Sequence, residues 1–218
     1  VDDHIRSNPF FNYQYFWSLV AFGHILQIHL ILTSVWALGT EFKLGTTKVW
    51  LKTADESIWI AFLGKMTPYF IIFLALFTVL YTVYFGFMQV PYTGSVLFGI
   101  LATLLFITSC IAISSIFVGI NGNFRYGLSN SAFYVAMGFA FAGVTYPVMS
   151  MPLLAKMYSA TLPLSYWVKV MINQSLRQIP IVYDVKSIIA LIILMSLGFL
   201  ALIRIKSLAK DEKRWYQQ

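Results

Sequence analysis

Val96-Leu-Phe-Gly-Ile-Leu-Ala-Thr-Leu-Leu-Phe-Ile-Thr-Ser-Cys-Ile-Ala-Ile-Ser-Ser-Ile-Phe-Val118 contains no Asp, Glu, Lys or Arg. A helix needs about 20 apolar residues to cross the hydrocarbon core of a bilayer, and this stretch supplies them. Four further segments read the same way: Phe16–Leu38, Pro68–Met88, Ser131–Met149 and Ser187–Ile205. Arg204 falls in the final turn of the last, where its side chain can reach the interface. Runs such as Phe70–Phe77 are apolar on every side, so the two-residue alternation of a transmembrane barrel is absent. The expected fold is an all-α membrane protein, a polytopic bundle of about five transmembrane helices.

Composition agrees. Of the 218 residues, 59% are hydrophobic, 17% aromatic and 11% charged, against about 25% charged in a soluble domain. Mean hydropathy is +0.77. These values exclude a water-soluble enzyme, a disordered regulator and a disulfide-stapled secreted domain. The net charge of +7 is not a nucleic-acid footprint, because the basic residues are scattered between apolar blocks. The single cysteine, Cys110, cannot form an internal bridge.

Loop charge sets the expected orientation. With the N-terminus outside, the inner set is Lys43, Lys48, Lys52, Lys65, Arg125, Arg204, Lys206, Lys210, Lys213 and Arg214. The outer set is then Arg6, Lys156, Lys169, Arg177 and Lys186. Ten against five favours N-out and C-in by the positive-inside rule. Among the connections, Met88–Ser95 reads as a short external turn and Gly119–Asn130 as a polar inner loop with Arg125 as anchor.

Two longer connections carry more information. Gly39–Lys52 mixes charge with Phe42, Leu44, Val49, Trp50 and Leu51, the pattern of an interfacial helix. Thr53-Ala-Asp-Glu56 has capping-box spacing, with Thr53 capping a new helix and Glu56 reaching back. That helix runs from Ile58 towards Pro68, a kink or a second helix start. The outer segment from Met149 to Pro163 is too short and too interrupted to span, which makes it a re-entrant or interfacial hairpin.

Glu41-Phe-Lys-Leu-Gly45-Thr46, then Thr53-Ala-Asp-Glu, then Leu63-Gly64-Lys65-Met-Thr-Pro68-Tyr69 resembles the signature of ABC-2 type transporter permeases. Asn8-Pro9 with Tyr15-Phe16 is similar to the family's entry to its second span. Gly143-Val-Thr-Tyr-Pro147, Met151-Pro152 and Leu162-Pro163-Leu164-Ser165-Tyr166 resemble its external segment. The resemblance covers nearly the whole chain, residues 1–218, as one transmembrane domain. It implies a first span and an extracytoplasmic domain upstream of Val1. It departs from the family pattern at Lys43, where a second acidic residue is common, and at Thr53-Ala54 in place of Thr-Pro.

The resemblance implies the permease subunit of an ATP-driven exporter in a bacterial cytoplasmic membrane, with no catalytic, cofactor or metal site in this chain. ATP and magnesium would sit in a partner ABC ATPase. A second permease copy or paralogue and membrane lipid are the other partners. Glu41, Phe42, Gly45 and Thr46 would couple the ATPase to the bundle, and the external segment would cap the exit of the path. The substrate would be drug-like or lipid-like. Alternatives are a lipid-linked glycan exporter permease and a non-transporting membrane scaffold.

The residues themselves support some negatives. No phosphate loop, His-Glu-x-x-His or Gly-x-Ser-x-Gly occurs, and no acidic pair lies within the spans. His24 and His29 stand about 140° apart on a helix and cannot share one face as metal ligands. His24 and Gln27, with Met149, Met151 and Pro152, are candidates for a path or exit region. Interhelical hydrogen bonding and gap-filling explain the same residues as well. Thr103, Thr108, Ser109, Cys110, Ser114 and Ser115 read first as close-packing residues and second as a polar lining.

Overall fold

The computed structural model describes residues 13–211 apart from Val144 and Gln178. Asn8-Pro9, Arg6, Lys213 and Arg214 therefore lie outside the described residues. Nine α-helices follow one another among the described residues: α1 Tyr13–Lys43, α2 Thr47–Lys52, α3 Ile58–Tyr81, α4 Val96–Asn121, α5 Phe124–Ala136, α6 Gly138–Phe141, α7 Leu153–Thr161, α8 Pro163–Ser175 and α9 Val185–Ala209. A π-helical turn, Thr82–Phe87, prolongs α3. No strand occurs among the described residues.

Four helices are long and apolar enough to cross a membrane: Gln14–Lys43, Ile58–Phe87, Val96–Ile120 and Val185–Ala209. They leave large aliphatic side chains exposed, among them Ile71, Ile72 and Val79 on α3 and Ile193, Leu197 and Leu200 on α9. Such surfaces are stable against lipid and not against water. The expected crossing at Ser131–Met149 differs from one long helix. α5 starts earlier, at Phe124, and the chain breaks at Met137 and again at Gly143, whose φ of +82° turns it out of helix.

α4 is the central post, packed by α1, α3, α5, α8 and α9. Against α9 the fit is closest at Gly198, where a Cβ would lie 2.2 Å from the Ala112 carbonyl carbon. The Ser109 hydroxyl donates to the Leu191 carbonyl across the same seam at 2.9 Å. The hydroxyl-rich face of α4 is thus used largely for packing.

Three local expectations change. Thr53 does not cap α3: its hydroxyl donates back to the Val49 carbonyl at 2.6 Å, and the chain turns at Asp55 and Glu56, both with positive φ. Ser57 caps α3 instead, accepting from the Ile60 N–H. Pro68 lies inside α3, so of its two readings the second helix start is the one that fails. The polar loop at 119–130 shrinks to Gly122 and Asn123, because Gly122 (φ +66°) terminates α4 and the Asn123 side chain caps α5.

The bundle has two distinct ends. At one, Phe42, Gly122 and Leu208 bring together the ends of α1, α4 and α9. At the other, the Tyr84 hydroxyl donates to the Tyr15 carbonyl, and the Gly94 N–H donates to the Gln174 carbonyl at 2.7 Å.

Candidate functional site: the corner between α1, α2 and α3

The segment expected to form one interfacial helix over 41–52 is divided. Glu41 and Phe42 belong to the last turn of α1, and Gly45 (φ +67°) lets the chain reverse into α2. A left-handed residue is cheap only for glycine, so Gly45 is where the sequence allows this corner. Glu41 sits at its centre. Its carboxylate accepts from the Lys65 ammonium on α3 and from the Thr46 hydroxyl. The Lys65–Glu41 ion pair is half-sheltered, at 21% and 15% side-chain exposure. The Trp50 indole N–H donates to the Ala61 carbonyl at 3.3 Å, and Lys65 lies 5.7 Å from the Trp50 ring. The corner is therefore a cross-braced joint between three helices.

Phe42 faces inward, 2% exposed, with its ring against Gly122. The outward surface is made by Leu44 (60% exposed) and Val49 (68% exposed), flanked by Lys48 and Lys52. Sequence reasoning chose Glu41, Gly45 and Thr46 but did not foresee that Lys65 would be the partner of Glu41. The opposite charges were visible; their register across the Asp55–Glu56 turn was not.

The other sequence-selected residues do not converge on one place. His24 and Gln27 are buried on α1, while His29 is exposed on another face with its ring nitrogen against the Ile25 carbonyl. Gln27 accepts from the Leu164 N–H at 3.0 Å and so caps the start of α8. The His24 Nδ1 and Gln27 Nε2 atoms have no hydrogen-bond partner, and both lie within 3.4 Å of where a Cβ on Gly138 would sit. Met149 is 91% exposed, Met151 is buried and Pro152 opens α7. Trp167 is fully buried, donating to Thr103 at 3.0 Å and stacking on Phe106.

At the far end a second polar cluster escaped the sequence reading. Asp184 is fully buried and accepts from Asn173 at 2.6 Å and from Gln174 at 2.8 Å. The same Gln174 accepts from the Ser95 N–H at 3.1 Å. Burial, aided by the Asp184 charge, pushes the Tyr92 phenol up to about 12. Burial lowers the Arg177 guanidinium from its usual value, with Asp184 opposing. Among the described residues no cluster of His, Cys, Asp or Glu could hold a metal ion. No family model, no curated protein and no solved structure matches the chain.

Proposed function

We propose that this chain is the transmembrane permease subunit of an ATP-driven exporter of the ABC-2 type, carrying a drug-like or lipid-like substrate. The observation that supports this most is the braced corner. The block that resembles the coupling region, Glu41–Thr46, and Gly64-Lys65, which resembles the start of the family's third span, meet in one ion pair beside an exposed apolar surface rimmed with lysines. A partner ATPase bound there would press on α2 and transmit force to α1 and α3 together. The bundle would then alternate which side its path opens to, as packed helices shift between discrete arrangements. ATP and magnesium belong to the ATPase, and a second copy or paralogue of this chain completes the path.

In this reading α5 and α6 provide a fifth crossing. α7 and α8 form a re-entrant hairpin, with Gln27 midway along α1 and Thr103 about two turns into α4 meeting the first turns of α8. The corner faces the cytoplasm of a bacterial cell, and the Asp184 end faces outward.

The test is purification of the full-length chain from native membranes, with ATP hydrolysis and export measured in parallel. Glu41→Ala and Gly45→Val are expected to reduce both ATPase association and export by about tenfold, the usual scale of coupling between sites. Unchanged association and export in both variants would leave a non-transporting scaffold as the better reading.

A further inference from the structure

Four cations converge on one cavity at the Asp184 end. Lys156 on α7, Lys169 on α8, Arg177 just beyond α8 and Lys186 on α9 all line a cavity of about 350 Å³. This is within the range of small-ligand pockets. Positive charge on the outer side of a membrane protein is disfavoured as a rule. Yet every Lys and Arg of the outer charge set that falls among the described residues lines this one space. Arg6 lies outside them. Loop solvation alone does not gather charges from three helices and a connecting segment.

Among the described residues, none of the four makes an ion pair. No Asp or Glu lines the cavity. The nearby Asp184, which accepts from Asn173 and Gln174 and acts on Arg177, is one negative charge against four cations. Arg177 uses one guanidinium nitrogen on the Asn173 side-chain oxygen at 3.4 Å, while its buried Nε has no partner. A buried donor without an acceptor is a costly arrangement that an anion would relieve. Ser159 and Ser165 add hydroxyls, and Phe16, Val148 and Ile172 supply an apolar wall.

We propose that this cavity binds an anionic, phosphate-bearing group. A phosphate offers more oxygens and more charge to cations arriving from different directions than the two oxygens of a carboxylate. The cavity lies by the start of α1 and of α9, at one end of two helices long and apolar enough to cross a bilayer, whose headgroups stand at the ends of such spans. Two sources share this chemistry: the headgroup of an acidic phospholipid, whose chains would lie on the apolar wall, and a soluble phosphate.

The experiment takes the full chain in detergent and measures retention of phosphatidylglycerol against phosphatidylcholine by native mass spectrometry. In parallel, thermal stability is followed against inorganic phosphate. The variant is Lys156→Gln/Lys169→Gln/Lys186→Gln, three exposed positions whose change leaves the packing intact. Lys52→Gln/Arg204→Gln/Lys210→Gln, also exposed, is the charge-matched control at the other end. Preference for phosphatidylglycerol that falls about tenfold in the first variant and not in the control identifies a lipid headgroup. Saturable stabilisation by phosphate, lost in the same variant alone, identifies a soluble source. If neither response occurs, or if both variants respond like the parent chain, the proposal is wrong.

Discussion

At Gly198 a single hydrogen separates α9 from the backbone of α4. A Cβ there would lie 2.4 Å from the Ala112 carbonyl oxygen, so the helices must part to admit it. Gly198→Ala is expected to cost about 1–3 kcal/mol, the range for overpacking a tight interface, and to lower the melting temperature in detergent. Gly119→Ala on the same seam is the contrast, because its Cβ would approach nothing closer than 3.4 Å; its melting temperature should match that of the parent chain. The sequence alone does not single out Gly198. One glycine in an apolar run looks the same whether it faces lipid or a neighbouring backbone. Glu41 and Gly45 were better marked, since a charge and a glycine at the edge of an apolar run need a local reason to be there.

Among the elements, α8 is the one whose environment is least evident from its own residues. It is short, it carries Lys169, Asn173 and Gln174, and most of it is nevertheless buried. Its two ends explain this. Gln27 caps the first turn, and Asp184 receives the amides near the last. Asp184→Ala would strand the Asn173 amide and leave Gln174 only its longer bond to the Ile179 carbonyl at 3.3 Å, at about 1–3 kcal/mol for the one buried unpaired group. Asp184→Asn keeps one acceptor oxygen and should lose less. Thermal melts and protease cleavage within residues 176–184 would report both effects, with the alanine variant cleaved faster. The helix boundaries moved for a related reason. Thr53 has the spacing of a cap, but its hydroxyl bonds within α2, and two left-handed residues carry the chain on to Ser57.

For the molecule as a whole, the two ends differ in charge and chemistry, and their sidedness is directly measurable. Cys110 is the only cysteine and is buried, so a Cys110→Ala background accepts single reporters. Met149→Cys, at a position 91% exposed, is expected to react with a membrane-impermeant maleimide on intact cells. Val49→Cys, 68% exposed at the corner, should react only after the membrane is opened. Reaction of Val49→Cys on intact cells would reverse the orientation and place the cation-lined cavity inside.

The sequence by itself determined that this chain belongs in a bilayer as a helical bundle, because hydrophobicity and length act locally and need no partner to be read. It also singled out Glu41–Thr46, where charge and glycine interrupt an apolar run, but as part of one interfacial helix; the corner itself came from the structure. Only the tertiary structure decided which distant residues meet: Lys65 with Glu41, Asp184 with Asn173 and Gln174, Gly198 with Ala112, and four cations around one cavity. In lipid the apolar pattern is nearly uniform around each helix, so it carries little information on which face turns inward. Packing and hydrogen bonding between helices make that choice.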